Sequence, residues 1–273
     1  MIGDVSLIPL KIWMAKYLEI ARTMSYDIQR DREAVKKLAE ILISNRISPP
    51  LHELKRLLFK RPSIVFGAGP SLDRQLDRII QNSFRSLRVA TLISANGATQ
   101  ALIEREIFPQ IIVTDLDGDI NSIFKAAKRN SIIIVHAHGD NIERIEDVLV
   151  KLISTTKRII GTTQVEPIYP VQNFGGFTDG DRAVFLATTF GSSFIIMVGM
   201  DFGNVVGKRS KPWFRSEVPA SKSKLKKLQI AFKLISWLTY TFNPEIYTLS
   251  LNVPLGTKRI NISQIGELCR CQS

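Results

Sequence analysis

The chain has 273 residues, 37 Lys and Arg against 25 Asp and Glu, and a formal net charge of +12. With 45% hydrophobic residues it can bury a substantial core, so one main α/β domain with appended helices, or two small domains, is expected. No apolar run approaches the ~18 residues of a membrane span, which leaves nucleic acid, a membrane surface or anionic small molecules as partners for the positive charge.

The first residues, Met1 to Arg22, carry Asp4, Lys11 and Lys16 and no signal-peptide core. They read as a helix, and the cytoplasm is the expected location. Trp13, Tyr17 and Ile20, then Val35, Leu38 and Leu42, keep helical spacing across Trp13 to Ile43. Pro49 and Pro50 end that pattern; Ser44 to Pro50 is a linker, and a short helix follows over Leu51 to Lys60. The division expected is a helical region at 1–58 and an α/β domain at 59–273 that ends in a C-terminal helix and tail. From Ser63 a strand–turn–helix unit repeats: "SIVFGAGPSL", with Pro70 suited to the first helical position, then "RVATLISANGATQALIERE", "PQIIVTDLDGDINSIFKAAKR" and "NSIIIVHAHGDNIERIEDVLVKL". "RIIGTTQ" and "SFIIMVGMDFG" add a fifth and a sixth strand around the helical "DRAVFLATTFG". This alternation predicts a mainly parallel, Rossmann-like sheet with helices on both faces. Ligands of such sheets bind beyond the carboxyl ends of the strands, where every unusual polar cluster of this sequence falls. Cys269 and Cys271 read as two thiols on a loose tail, too few for a structural zinc site.

"TDLDGD" concentrates acid in a basic chain. In extended backbone Asp115 and Asp117 point to one side, about 6–7 Å apart at a rise of about 3.3 Å per residue. Two such carboxylates repel unless a cation lies between them, and Mg²⁺ takes one or two carboxylates plus phosphate oxygens. Asp119 is a further candidate ligand, or a cap for the next helix. "DLDGD" resembles the first motif of haloacid-dehalogenase-type phosphatases, with Asp119 where that motif has Thr or Ser. It also resembles an EF-hand start, with Ala126 where Glu is required, and the Asp-x-Asp of glycosyltransferases. "GAGPSLD" is a phosphate-type loop, whose glycines let backbone approach a ligand at a helix N-terminus. His136 and His138 share a strand end near Asp140, which reads as one more carboxylate of a metal or phosphate network rather than part of a zinc site. "NFGGFTDGDRA" is a flexible loop able to wrap a flat ligand, with Asp181 either facing that ligand or capping the helix opened by Arg182. The basic run Lys208 to Lys227 reads as a solvated face or as a lid over phosphates.

Taken in order, "GAGPSLD", "SANGAT", "VTDLDGD", "VHAHGDN", "TTQ", "NFGGFTDGDRA" and "GMDFG" resemble the archaeal-type 6-hydroxymethyl-7,8-dihydropterin pyrophosphokinases over Trp13 to Leu238. The core is also similar to thiamin pyrophosphokinase, with Asn96 in place of that family's turn aspartate. The resemblance implies Mg²⁺-dependent transfer of pyrophosphate from ATP to the hydroxymethyl group of a reduced pterin, with release of AMP, in folate- or methanopterin-type cofactor biosynthesis. It implies Asp115, Asp117 and Asp140 as catalytic residues and, with Asp119, as metal ligands. Gly67, Gly69, Ser71, Asn96 and Gly97 would face the nucleotide, and Asn173, Gly175, Gly176, Asp179 and Asp181 the pterin. ATP and the pterin alcohol are the partners implied, with a homo-oligomer allowed and neither membrane nor nucleic acid expected. Two other readings stand beside it: a glycosyltransferase-like enzyme with a metal-bound sugar nucleotide, and a nucleotide-binding module whose basic segment contacts RNA.

Overall fold

The computed structural model describes residues 7–270. The opening segment Met1 to Ser6 and Cys271 lie outside the described residues. The helical spacing at the N-terminus resolves into two helices, α1 (Leu10–Met24) and α2 (Ile28–Ser44). Ser25 ends α1 in the left-handed conformation and Asp27 caps α2 by accepting from the Gln29 N–H at 2.9 Å. α3 (Leu51–Leu58) follows the proline pair.

The repeating units fold as β1 (Ser63–Phe66), α4 (Leu72–Ser83), the single turn α5 (Ser86–Val89), β2 (Thr91–Ala95), α6 (Ala98–Ile103), β3 (Ile111–Thr114), α7 (Ile120–Lys128) and β4 (Ile132–Ala137). The helix after β4 runs through α8 (Ile142–Arg144), a π turn and α9 (Val150–Thr155) into β5 (Ile159–Thr163). Then come α10 (Asp179–Thr189), β6 (Ile195–Val198), a small hairpin of β7 (Val205–Val206) and β8 (Val218–Pro219), and α11 (Lys222–Phe242). Pro70 lies in the turn before α4 rather than at its first position, because Ser71 is the residue that flanks the helix. Beyond the expected C-terminal helix the chain adds β9 (Ile246–Thr248), β10 (Lys258–Arg259) and α12 (Ile262–Arg270). Cys269 is on α12 and is only 2% exposed, so it is a core residue and not part of a loose tail.

The described residues form an eight-stranded sheet in the order β10-β9-β6-β1-β2-β3-β4-β5, parallel at every pairing. Alternate side chains feed two apolar cores. Ile64 and Phe66 of β1 join Leu72, Leu76 and Ile265 on one face, while Val65 joins the other. That second core also takes in Trp13, Tyr17, Val35 and Leu38, so the N-terminal helices are packed onto the sheet. The strand order turns back at β1, with β2 on one side and β6 on the other; such a switch point is where the crevice that receives ligands lies in an open parallel sheet. Among the described residues no helix is long and apolar enough to cross a membrane.

Candidate active site

A cleft of about 250 Å³ opens in that crevice at the carboxyl ends of the strands. The loop after β1 contributes Gly67, Ala68 and Gly69, that after β2 Asn96 and Gly97, that after β3 Asp115 and Asp117, and that after β4 His138. Each is placed by the same device: a fully buried apolar strand ends, and the next polar residues emerge at the sheet edge.

Asn96 organises the acidic pair. It sits at φ +44°, one of the residue types that tolerates this region. Its Oδ1 accepts from Thr114 Oγ1 at 3.0 Å, which fixes the amide so that Nδ2 donates to Asp115 Oδ1 at 3.0 Å and to Asp117 Oδ1 at 2.5 Å. Gly118 lets the β3 loop close on this amide, since a Cβ there would lie 2.3 Å from Asn96 Oδ1. His138 Nε2 lies 3.6 Å from Asp115 Oδ2. Burial opposes ionisation of Asp115, but hydrogen bonds from His138 and the Asp117 side and the charges of His138 and Lys211 hold it below the usual carboxylate range. Asp117 is pushed up, by burial and then by the charge of Asp115, against the pull of Lys211.

The basic segment divides between cleft and solvent: Ser210, Lys211, Lys224 and Lys227 line the cleft, while Pro212, Trp213, Arg215 and Lys222 are exposed. Its turn packs backbone to backbone: a Cβ on Gly97 would lie 1.8 Å from the Arg209 carbonyl oxygen, and one on Gly207 2.6 Å from the Ala68 oxygen. Arg209 pins it by pairing with Asp73 Oδ1 at 3.1 Å and Glu104 Oε2 at 2.6 Å. Lys211 then reaches into the cleft, where its Nζ pairs with Asp117 Oδ2. Lys224 and Lys227 of α11 line the same cleft. Burial, then Lys211 and Lys227, push the Lys224 ammonium down.

The cleft is also lined by aromatic and apolar side chains, those of Tyr26, Phe177, Met200, Phe202 and Leu228. Tyr26 and Phe177 have ring centroids 6.0 Å apart, and Lys227 Nζ lies 5.7 Å from the Tyr26 ring. Beside them Asp179 pairs with Arg182 Nη1 at 3.3 Å, and Arg182 Nη2 donates to Gln164 Oε1 at 3.0 Å. Burial and the charge of Asp115 raise Asp179 well above the usual carboxylate range. Gln164 Nε2 in turn donates to Tyr17 Oη at 2.9 Å and to Asp31 Oδ2 at 3.2 Å, and Asp31 Oδ1 accepts from the Gly139 N–H at 2.8 Å. A buried polar chain thus ties α1 and α2 to both the Asp179 and the His138 side of the cleft.

Several expected residues stand elsewhere. Ser71 donates through N–H and Oγ to Asp201 Oδ2, at 2.8 and 2.6 Å, so the start of α4 already holds a carboxylate. The glycines of its loop serve packing as much as access: a Cβ on Gly67 would lie 2.9 Å, and one on Gly69 2.6 Å, from the Gly199 carbonyl. Asp119 accepts from the Ser122 N–H at 2.9 Å and caps α7. Asp140 is exposed and does not line the cleft; the imidazole of His138 stands at Asp115 instead. His136 is buried and held neutral by burial and the charges of Arg182 and His138, with Nδ1 3.2 Å from Thr162 Oγ1. Asn173, Gly175 and Gly176 do not line the cleft: Asn173 donates to the Val165 carbonyl, and the glycines admit Phe185 and the Arg182 backbone at close range. Asp181 is fully buried and accepts from the N–H groups of Phe177 and Thr178 at 2.6 and 2.7 Å, completing a capping box with Thr178. Of that loop, Phe177, Thr178, Asp179, Gly180 and Arg182 reach the cleft. Tyr26 carries no local motif, while Gln164 closes the "TTQ" segment and Lys211 lies within the basic run, neither singled out there as a site residue; the pair Thr178 and Asp181, three apart before an apolar run, is a capping signal that the sequence does contain.

Residues 33–207 match the family described as 6-hydroxymethylpterin diphosphokinase MptE-like. The 6-hydroxymethyl-7,8-dihydropterin pyrophosphokinase of Pyrococcus furiosus is 41% identical over 239 residues, covering 88% of this chain and 98% of that protein. The enzyme of the same name from Methanothermobacter thermautotrophicus is 41% identical over 237 residues, covering 84% and 94%. Among solved structures, the MAf glycosyltransferase of Magnetospirillum magneticum AMB-1 aligns with 78% of this chain and 37% of its own at 12% identity and a TM-score of 0.44. The chain belongs to the MptE-like family of 6-hydroxymethylpterin diphosphokinases.

Proposed function

We propose that the chain transfers pyrophosphate from ATP to the hydroxymethyl group of 6-hydroxymethyl-7,8-dihydropterin and releases AMP, with Mg²⁺ at Asp115 and Asp117. One observation supports this reading beyond family membership: an amide-bridged carboxylate pair, three lysines and the rings of Tyr26, Phe177 and Phe202 line a single cleft, with Lys211 paired directly to Asp117. Acid and base so arranged suit a metal-bound polyphosphate, and the aromatic rings suit a flat heterocycle.

The donor set fits Mg²⁺. It is all oxygen, it crowds two carboxylates together, and Asp117 is held above the usual range by burial and Asp115, an excess of negative charge that a cation relieves. Among the described residues no three His, Cys, Asp or Glu side chains form a complete cage. Mg²⁺ ordinarily completes its shell with phosphate oxygens and water. Bound there, the ion neutralises charge on the phosphates. Lys211, Lys224 and Lys227 take the remaining polyphosphate oxygens and orient the chain of phosphorus atoms. The ring stacks against Tyr26, Phe177 and Phe202, with Gln164 and Arg182 at its polar edge. The hydroxymethyl oxygen forms a bond to the β-phosphorus while the bond from that phosphorus to the α-bridging oxygen breaks and AMP departs. Asp179, which lines the cleft with Arg182 Nη1 at 3.3 Å from its carboxylate, accepts the hydroxyl proton. Catalysis is mostly positioning and charge neutralisation.

Purified protein with ATP and Mg²⁺ should consume ATP in proportion to added pterin alcohol. Turnover of a sugar nucleotide with no dependence on the pterin would move the assignment to glycosyl transfer.

A further inference from the structure

The basic segment delivers one ammonium to one carboxylate. Lys211 lies two residues beyond Arg209, and Arg209 is clamped by Asp73, Glu104 and the glycine under its carbonyl. Lys211 therefore does not drift over the surface as a lysine usually does; it is set against Asp117 Oδ2. Asp117 Oδ1 is meanwhile held by Asn96, so both of its oxygens are engaged. A divalent ion entering alone must displace the ammonium into a cleft that Lys224 and Lys227 also line. A metal ion arriving with a polyphosphate brings oxygens to which the displaced ammonium can turn.

We infer that Lys211 is a resident counter-cation that makes the carboxylate pair selective for a metal–polyphosphate complex over the free ion. It exchanges Asp117 for a phosphate oxygen when the complex binds, so metal and nucleotide bind with positive coupling that this side chain supplies. The inference rests on the proposed metal position at Asp115 and Asp117.

The test is binding of Mn²⁺ to the full chain, followed by electron paramagnetic resonance without ATP or pterin, and again with a non-hydrolysable ATP analogue. Lys211→Met should bind free Mn²⁺ at least tenfold more tightly than the parent protein. The gain in Mn²⁺ affinity on adding the analogue should shrink at least tenfold. Lys211→Arg, which keeps the charge, should retain weak binding of the free ion. Asp117→Asn is the control for the reading beneath. If it leaves Mn²⁺ affinity unchanged, the metal is not at this pair and the functional reading fails. If Asp117→Asn weakens binding but Lys211→Met leaves free-ion affinity and coupling as they were, the metal position stands and the counter-cation role is overturned.

Discussion

Replacing Asp181 by Asn separates a residue that shapes the cleft from one that touches the ligand. Its two oxygens accept from the buried Phe177 N–H at 2.6 Å and the Thr178 N–H at 2.7 Å, and Thr178 Oγ1 donates as well. An asparagine keeps one acceptor and turns an NH₂ toward the other N–H. One buried donor left without a partner costs about 1–3 kcal/mol, and partial loss of the helix cap about 1 kcal/mol more. Burial penalises the native carboxylate, although Thr178 and the Phe177 N–H support it, so removal of the charge offsets part of this loss. The net expectation is about 2 kcal/mol, which at about 2–4 °C per kcal/mol for a chain of this size lowers Tm by about 4–8 °C. Differential scanning calorimetry of the ligand-free protein measures the drop, and titration calorimetry with ATP should give an unchanged Kd. An unchanged Tm with a selective loss of pterin affinity would mean that Asp181 contacts the pterin, contrary to its buried position.

Asp115→Asn and Asp117→Asn should each lower kcat by at least about 100-fold, in the range of a lost electrostatic contact to reacting groups, with the fold kept by circular dichroism. Asp179→Asn tests the raised carboxyl. A pKa raised on folding stabilises the folded chain below the unfolded value and ceases to do so as pH rises through the folded value. In urea melts the stability of Asp179→Asn relative to the parent should therefore improve as pH rises from about 4, the ordinary Asp range, and a difference independent of pH would contradict that shift. Gly97→Ala places a Cβ 1.8 Å from the Arg209 carbonyl oxygen, so the turn that carries Arg209 and Lys211 must move. Titration calorimetry should show ATP binding weakened about tenfold or more, the scale of one charged contact.

The six leading strands were legible because each is a run of apolar residues buried on both faces and bounded by turn chemistry, as at Ile111 to Thr114. β9 and β10 were not, since three and two residues cannot display a period. Asp115, Asp117 and Asn96 were legible because strand ends in a parallel sheet converge. Asn173 and Asp181 misled for a physical reason: polar residues in a glycine-rich loop satisfy the loop's own backbone as readily as a ligand. The lysine that reaches Asp117 could not be singled out within a run of basic residues, because its direction is set by backbone contacts between Gly97 and Arg209, far apart in sequence.

Phosphorus NMR of one reaction mixture holding the protein, ATP, Mg²⁺ and 6-hydroxymethyl-7,8-dihydropterin tests the transfer itself. AMP and a new diphosphate ester should grow in equal amounts, and only when the pterin alcohol is present. ADP as the nucleotide product, or release of AMP at the same rate without the alcohol, would contradict pyrophosphoryl transfer to the pterin.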